Sequence, residues 1–245
     1  MAEMVLATLN GQFDIILPMH RAQRPEWYTP EGWEKKRLAT MYEYISARDD
    51  HMVFYVGAEE GEMPALCSLW GADVVLFEPN AKVWPNIRAI WDANGLIPPA
   101  GYFVGFASNS TEEDPPNLDF EVGDRDGWPV CAYGPVIGDH GFRELYQESS
   151  AVPQIKIDDY VKRTGLVPTI ITFDCEGSDW QVMRGAENTV REHKPLIIGS
   201  VHPEFMFHQY GEYAAEFRRW IKDFGYRETI LDYQHELHVL YTPEV

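Results

Sequence analysis

From residue 52 onward, the sequence alternates short apolar runs with longer amphipathic stretches. The apolar runs are residues 52–56, 73–77, 102–107, 169–173 and 196–201. Helical patterns lie between them at about 63–70, 81–93 and 179–193, with Gly95 ending the second and Ser178 capping the third. Apolar runs of strand length separated by helices predict repeated β-α units around a buried parallel sheet.

The two ends of the chain follow other patterns. A helix near 213–224 precedes two close apolar runs, 226–233 and 237–241, which predict an antiparallel hairpin and bring the sheet to seven strands. At the N-terminus, two apolar runs flank Asn10-Gly11, a pair typical of a two-residue hairpin turn. Thr29-Pro30-Glu31 then predicts the start of an amphipathic helix that ends before Asp49.

Length and composition favour one α/β domain. The chain has 245 residues, 45% of them hydrophobic, a size that single α/β domains commonly reach. We divide it into an N-terminal extension of hairpin and helix, residues 1–50, and a core, residues 51–245. Within the core, residues 108–150 are rich in Asp, Glu, Pro and Gly, and we expect them to form an insertion or lid over the carboxyl edge of the sheet.

The charge excludes some partners. Twenty basic residues against 39 acidic ones give a formal net charge of −19, which disfavours binding to nucleic acid or to an anionic membrane. Three dispersed cysteines do not form a disulfide framework and favour a reducing, cytoplasmic location. The N-terminus resembles no secretory signal, and no apolar run approaches the roughly 18 residues of a membrane span. The oligomeric state stays open.

Two motifs together predict a nucleotide-type cofactor. In Val56-Gly57-Ala58-Glu59-Glu60-Gly61, a buried strand runs into a glycine-containing loop and then a helix, which lets a ligand approach the backbone. Taken alone, this loop is a weak signal, because a tight β-α turn without a ligand explains it more simply. About twenty residues later, Glu78-Pro79 ends the next strand, where a carboxylate can accept hydrogen bonds from both ribose hydroxyls.

Candidate catalytic groups follow the later strands. Asp174 and Glu176 end the fourth strand, and strand alternation points both the same way, so they can act as a base or hold a cation. Alternatively, Glu176 and Asp179 only complement the positive N-terminus of the next helix. His202 ends the fifth strand and can take a proton from an alcohol or be purely structural. Aromatic and imidazole rings could add stacking surface or only pack in the core: Trp27, Tyr28, Trp128, Tyr133, His208 and Tyr210.

These motifs, in this order, resemble the FkbM-type S-adenosylmethionine-dependent methyltransferases. The resemblance covers roughly residues 52–235 and includes Gly105-Phe106-Ala107-Ser108, Met183-Arg184-Gly185-Ala186 and Phe224-Gly225-Tyr226. It implies a class I methyltransferase (Rossmann-like) fold, with seven mainly parallel strands, an antiparallel last strand and helices on both faces. It also implies transfer of a methyl group, usually to an oxygen, and S-adenosylmethionine as the cofactor.

The resemblance also assigns roles to residues. Val56, Gly57, Ala58, Glu59 and Gly61 would surround the methionine part of the cofactor. Glu78 and Pro79 would lie at the ribose, and Ala107 and Ser108 near the adenine. Asp174 would face the methyl group, with Glu176 beside it and His202 across the cleft as catalytic residues.

Three positions depart from the family pattern. Tyr55 stands where the family usually has Asp, Glu59 where it has Asn, and Thr172 where a Lys is common. An acid at residue 59 would repel the methionine carboxylate unless a cation compensates. The departures imply either an altered hold on the methionine end of the cofactor or weakened binding.

We therefore expect an O-methyltransferase acting on a hydroxyl of a saccharide, glycoconjugate or similar small molecule. Asp174 or His202 would take the proton, or a divalent cation held by Asp174 and Glu176 would lower the pKa of the hydroxyl. One alternative is a catalytically degenerate module of the same fold that only binds partners. Another is a nucleotide-cofactor oxidoreductase, although the loop lacks the full G-x-G-x-x-G spacing.

Overall fold

The computed structural model describes residues 3–112, 124–136, 152–233 and 236–244. In these ranges the strands are β1 Met4–Leu9, β2 Phe13–Pro18, β3 Met52–Val56, β4 Asp73–Phe77, β5 Gly101–Phe103, β6 Phe106–Ala107, β7 Asp124–Arg125, β8 Trp128–Pro129, β9 Gln154–Ile155, β10 Ile170–Asp174, β11 Leu196–Val201, β12 Tyr226–Tyr233 and β13 Leu237–Pro243. The α-helices are α1 Met19–Ala22, α2 Lys35–Ile45, α3 Glu62–Leu69, α4 Trp84–Ala93, α5 Ile157–Thr164, α6 Asp179–Gly185, α7 Glu187–His193, α8 Pro203–Tyr210 and α9 Ala214–Asp223. Among these described residues, no helix is long and apolar enough to cross a membrane.

A seven-stranded sheet forms the centre of the fold, in the order β12-β13-β11-β10-β3-β4-β5. Strands β5, β4, β3, β10 and β11 are parallel, whereas β13 lies antiparallel between β11 and β12. The predicted seven strands and antiparallel last strand are therefore confirmed. The chain order reverses direction across the sheet between β3 and β10, which is where such sheets open a crevice at their carboxyl ends.

Alternating side chains of the sheet build two hydrophobic layers. Tyr55 and Leu76 belong to the layer that includes the N-terminal hairpin and helices α2 to α4. Their neighbours Phe54 and Phe77 point to the other face, where α5 to α7 and α9 pack. The strands are thus buried on both faces, as expected for parallel strands covered by helices. The first 50 residues contribute directly to the buried core beside β3 and β4.

The N-terminal hairpin is present, with a small change in its turn and a larger one in the helix that follows. Leu9 pairs with Phe13, so three residues close the hairpin instead of the predicted two. The helix begins at Lys35, not at Thr29-Pro30. The Asn10 side chain bonds the backbone of Trp33 at both its N–H and its carbonyl, at 2.8 Å each, and this tie holds the intervening chain away from helical geometry.

Two longer predicted elements are divided at glycines. The third strand ends at Phe103, and Phe106–Ala107 pairs with β9 instead. Between them, Gly105 lies so close to the Phe103 ring and the Pro153 carbonyl that a Cβ there would overlap both. The long helix after Ser178 is two helices, since Gly185 packs directly on the Ser108 carbonyl. Ser178 gives no side-chain cap to the first of these helices.

Part of the predicted insertion lies within the described ranges. Residues 124–136 form the short β7-β8 pair and a 3₁₀ turn, Val130–Tyr133, that packs against α4. The rings of Trp128 and of Trp91 in α4 pack edge to face, with their centroids 5.9 Å apart. The remainder of the insertion, residues 113–123 and 137–150, lies outside the described residues, so its placement over the sheet edge stays a prediction.

Candidate active site

A cavity of about 520 Å³ opens at the carboxyl ends of β3, β4, β10 and β11. This volume is in the range of small-molecule sites. Ten of the residues predicted for the site line it: Val56, Gly57, Ala58, Glu59, Glu78, Pro79, Ala107, Asp174, Glu176 and His202. The two others, Gly61 and Ser108, are not among its lining residues. Gly61 instead faces Ile87 of α4, and the Ser108 carbonyl faces Gly185.

The glycine loop is fixed by hydrogen bonds to its neighbours. The N–H groups of Gly57 and Ala58 donate to the Phe77 carbonyl at 2.9 and 3.3 Å. Gly57 has a φ of +83°, and a Cβ there would overlap the carbonyl oxygen of Asp174. Only glycine lets β3 pass this close to the end of β10, so the loop glycine brings two site elements together.

Glu78 closes the loop from the other side. Its Oε2 accepts the Glu59 N–H at 2.9 Å, and its Oε1 accepts the Asn80 N–H at 2.8 Å. Each carboxylate oxygen has two lone-pair sites, so both can still accept a ribose hydroxyl. Burial raises the pKa of Glu78 to about 8, against the lowering effect of these two hydrogen bonds. The residue therefore fits its predicted role of ribose acceptor, and its charge changes near neutral pH.

The far wall of the cavity is suited to a flat apolar ring. Phe106, Ala107 and Val152 line it, as do Pro79 and Val83 on the side of β4. This apolar wall adjoins the Glu78 carboxylate, as the adenine and ribose of one nucleoside would require. The residues present thus fit the nucleoside of S-adenosylmethionine.

Asp174, Glu176 and His202 meet at one point of the cavity, with ligand atoms that all lie within 4.8 Å of one another. His202 Nε2 lies 3.4 Å from Asp174 Oδ1 and 3.8 Å from Glu176 Oε2. The predicted grouping of the two acids is present, but strand alternation does not produce it. Glu176 lies beyond the end of β10 and has a φ of +49°, a conformation that costs a non-glycine residue energy and is concentrated at functional sites.

Two further acids position His202. The buried Asp179 carboxylate accepts the backbone N–H of His202 at 2.9 Å and lies 3.5 Å from the ring Nδ1, so Asp179 does more than complement the N-terminus of α6. Glu236, beside the end of β12, places Oε2 at 2.8 Å from His202 Nε2. The His202 ring also stacks on Phe205 at 5.8 Å.

These contacts decide which group can accept a proton. Although burial opposes a charge on the ring, the carboxylates of Asp179 and Glu236 raise the pKa of His202 to about 11. An imidazole that is already protonated at neutral pH cannot take a proton from an alcohol. Burial and the Glu34 carboxylate raise the pKa of Asp174 well above its ordinary value. This makes Asp174 the stronger candidate for the base, with His202 as a neighbouring cation.

Arg37 of α2 compensates for two of the family departures. Tyr55 and Thr172 lie opposite each other in adjacent strands, so the family residues at these positions would also be neighbours. The fully buried Arg37 donates to Thr172 Oγ1 at 3.1 Å and to Asp174 Oδ2 at 3.2 Å, and it pairs closely with Glu34. A cation from the N-terminal extension thus occupies the place where a strand lysine is common.

Arg21 compensates for the third departure, the acid at residue 59. Its guanidinium is 2% exposed and lies 3.2 Å from Glu59 Oε1 and 3.4 Å from Glu60 Oε1, with Glu62 as a further close partner. Arg24, three residues along the chain, lies 3.9 Å from Glu59 and also lines the cavity. The negative charge of Glu59 is therefore balanced by arginines of the N-terminal extension, which lies outside the residues that resemble the family.

Sequence reasoning missed these N-terminal residues. The available signal was the presence of arginines in the extension of a chain with only 20 basic residues, but the extension lay outside the family motifs. Glu34, Glu236 and His238 were also missed; they form a buried group, of which Glu34 and Glu236 line the cavity. Of the predicted stacking residues, Trp27 lines the cavity, together with the unpredicted Trp33 and Phe205. Tyr133 of the insertion instead stacks with Arg88 of α4, whose guanidinium carbon lies 3.9 Å from the ring centre.

Comparison with known proteins places the chain. A family model described as the methyltransferase FkbM domain matches residues 56–228. The curated proteins include no significant match. Among solved structures, a SAM-dependent methyltransferase from Agrobacterium tumefaciens superposes with a TM-score of 0.54 at 10% identity, covering 100% of this chain and 71% of that one. This likeness shows the class I methyltransferase fold.

A second structure comes from the same family. The methyltransferase FkbM from Methylobacillus flagellatus has a TM-score of 0.49 and 15% identity; it covers 79% of this chain, which spans only 44% of its length. The family model covers well over half of the chain. The chain therefore belongs to the FkbM family of S-adenosylmethionine-dependent methyltransferases.

Proposed function

We propose that the protein transfers a methyl group from S-adenosylmethionine to a hydroxyl group of a saccharide, glycoconjugate or similar small molecule. The observation that carries this proposal is the Asp174 carboxylate, which lies in the cavity beside the glycine loop with a pKa raised by burial. A hydroxyl is a weak nucleophile until it loses its proton, and such a carboxylate is a stronger base than an ordinary aspartate.

The residues of the chain suggest how the reaction proceeds. Bound S-adenosylmethionine supplies an electrophilic methyl group, which leaves its sulfur as the acceptor oxygen bonds to it, and S-adenosylhomocysteine remains. Asp174 Oδ1 takes the hydroxyl proton, and Arg37 and His202 stabilise the carboxylate in position before that transfer. Holding the oxygen in line with the methyl group supplies much of the rate.

The acceptor class rests on the cavity surface and the charge. Phe205 is 44% exposed and lines the cavity, and the half-buried Trp33 lines it too, so flat rings are available to stack on a sugar face, whereas Trp27 is 2% exposed. The net charge of −19 opposes a nucleic-acid acceptor or an anionic membrane surface. The cytoplasmic location stays a proposal, supported by three free cysteines in the described ranges.

A panel of saccharides and hydroxylated small molecules, incubated with S-adenosylmethionine and the protein, tests the function. We expect release of S-adenosylhomocysteine with some acceptor, and a product whose new methyl carbon has the NMR shift of a methyl ether. Asp174→Asn should lower kcat at least a hundredfold, within the range typical of general bases, and leave cofactor affinity within about twofold. A methyl group found on nitrogen or carbon would contradict the proposed O-methyl transfer.

A divalent cation is a second way to activate the hydroxyl. It is favoured by the meeting of Asp174, Glu176 and His202, whose ligand atoms lie within 4.8 Å of one another, and it requires that the cation displace the proton that His202 holds at neutral pH. Carboxylate and imidazole ligands suit several divalent metals. Chelation by EDTA distinguishes the two routes: activity that is lost and then restored by Mg²⁺ or Mn²⁺ supports the cation, whereas unchanged activity supports Asp174 as the sole activating group.

A further inference from the structure

The acceptor end of the cavity holds several carboxylates, and most of them have a close cation. In the proposed reaction this end lies at Asp174, which takes the hydroxyl proton. Asp174 and Glu34 share the Arg37 guanidinium, and Glu236 Oε2 lies 2.8 Å from His202 Nε2. The charges of these three acids are therefore compensated within the protein.

Glu176 is compensated less well. Its Oε2 lies 3.8 Å from His202 Nε2, which is closer to two other carboxylates. Burial raises the pKa of Glu176, and three neighbouring acids raise it further, against the lowering effect of His202. A positively charged group of a ligand beside Glu176 would relieve this penalty on its ionised form.

Glu204 adds a second carboxylate to the same end. It is exposed, lines the cavity and lies in the first turn of α8, two residues beyond His202. Within the described ranges, it forms no ion pair. The next residue, Phe205, also lines the cavity, and its ring is stacked parallel to that of His202 with the centroids 5.8 Å apart. A carboxylate beside an exposed aromatic face is a combination that suits a cation.

The arginines of the cavity act at its other end. Among the described residues that line the cavity, the arginines are Arg21 and Arg24, and both lie near Glu59 of the glycine loop, at 3.2 and 3.9 Å. An anionic acceptor would therefore approach the like charges of Glu176 and Glu204, whereas a protonated amine would be attracted to them. The sulfonium of the cofactor offsets only part of this negative charge, since two carboxylates face a single positive charge.

We propose that the acceptor carries a protonated amine close to its reacting hydroxyl, as an amino sugar does, and that Glu176 and Glu204 bind this ammonium. An ammonium has no lone pair with which to attack a methyl group, so carboxylates that keep the amine protonated leave the hydroxyl as the nucleophile. This inference rests on the proposed function, because it names the class of acceptor for the same cavity.

Sugars that differ mainly in charge test this inference. D-Glucosamine is cationic at pH 7, D-glucose and N-acetyl-D-glucosamine are neutral, and D-glucuronic acid is anionic. Initial rates of S-adenosylhomocysteine release give kcat/KM for each sugar. We expect kcat/KM for D-glucosamine to exceed that of the neutral sugars about tenfold, as for one charge-assisted hydrogen bond, and D-glucuronic acid to be the poorest acceptor.

Variants of the two acids assign the effect to residues. The ratio of kcat/KM for D-glucosamine to that for D-glucose should fall about threefold in Glu204→Gln, where the pair is exposed, and about tenfold in Glu176→Gln, where it is half-buried. This ratio isolates charge recognition, because damage to the fold or to the base lowers both rates alike. Glu204→Lys should shift the preference toward D-glucuronic acid.

Glu216→Gln is the matched control and should leave the ratio unchanged. Glu216 is likewise an exposed acid in the first turn of a helix, α9, but it is not among the residues that line the cavity. Wild-type protein that methylates D-glucose as well as D-glucosamine would overturn the inference, as would a ratio that neither Glu176→Gln nor Glu204→Gln changes. The acceptor methylated fastest in the wider panel should also carry an amine, and a fastest acceptor without one would overturn the inference while leaving O-methyl transfer intact. No methyl transfer to any acceptor, whatever its charge, would instead contradict the proposed function.

Discussion

Replacing Arg37 tests how strongly the N-terminal extension is bound into the catalytic core. The guanidinium is fully buried and contacts two carboxylates, of Glu34 and Asp174, as well as the Thr172 hydroxyl. In Arg37→Met, both acids lose this cation, and Asp174 keeps only His202 beside it, at 3.4 Å. Breaking a buried pair in this way costs about 3 to 5 kcal/mol of the free energy of unfolding.

Equilibrium unfolding in urea, followed by tryptophan fluorescence and circular dichroism, measures this loss. Arg48→Met serves as the control and should change the free energy of unfolding by less than about 0.5 kcal/mol, because its ion pair with Asp50 is exposed. Adding Glu34→Gln to Arg37→Met should recover part of the loss, since one unpaired acid is removed. The loss should also shrink as the pH falls, because burial raises the pKa of Asp174 and the carboxylate without Arg37 takes up a proton.

A loss below about 1 kcal/mol for Arg37→Met at neutral pH would refute this reasoning. It would mean that the acids around residue 37 are neutral, or that water reaches them, and that the extension is not held by this ion pair. An unfolded Arg37→Met protein would agree with the upper end of the range, and the double variant then provides the measurable comparison.

Other predictions concern single groups. The pKa of Glu78, raised by burial to about 8, implies that affinity for S-adenosylmethionine rises between about pH 6.5 and 8.5, and Glu78→Gln should bind more weakly with a flat profile in calorimetry. Gly57→Ala should abolish cofactor binding and lower the melting temperature, because its Cβ would overlap the backbone carbonyl of Asp174. Gly71 also has a positive φ but has open space around its Cβ position, so Gly71→Ala should affect stability alone. Against the effect of burial, Arg218 and other neighbours lower the pKa of Glu228 to about 2. Its stabilising effect is therefore present above about pH 4.5 and lost as the pH falls toward 2, so Glu228→Gln should be less stable than wild type at pH 7 and nearly equal at low pH in urea unfolding. An equal difference at both pH values would contradict this assignment.

The regular parts of the fold were predictable because local pattern and final packing agree. Strands β3, β4 and β11 have the predicted bounds, since each is a continuous apolar run that becomes buried on both faces. Departures occurred where a distant contact prevailed over local propensity. The Asn10 side chain delays the start of α2, and Gly105 and Gly185 end their elements because another backbone passes close by. These contacts join residues far apart in the sequence, so no local pattern contains them.

The residues of the candidate site also divide into those that a local pattern predicts and those that depend on distant contacts. Glu78 and Asp174 were predictable because each ends an apolar strand at the edge where such sheets bind ligands. The roles of Arg21, Arg37 and Glu236 were not, because each belongs to an element outside the core motif and reaches the cavity only through tertiary packing. Two departures in the sequence, the acid at residue 59 and the threonine in place of a lysine at residue 172, were indirect evidence for cations from elsewhere in the chain.

Calorimetry with S-adenosylmethionine tests the central claim most directly, that this cavity binds the cofactor through the end of β4. At about pH 8.5, where Glu78 is mostly ionised, wild-type protein should bind with a measurable enthalpy, and Glu78→Ala should bind more weakly by about 1 to 3 kcal/mol, because two charge-assisted hydrogen bonds to the ribose are lost. Circular dichroism confirms that the variant is folded. No binding by the wild type at millimolar cofactor, or equal binding by a folded Glu78→Ala variant, would contradict the account.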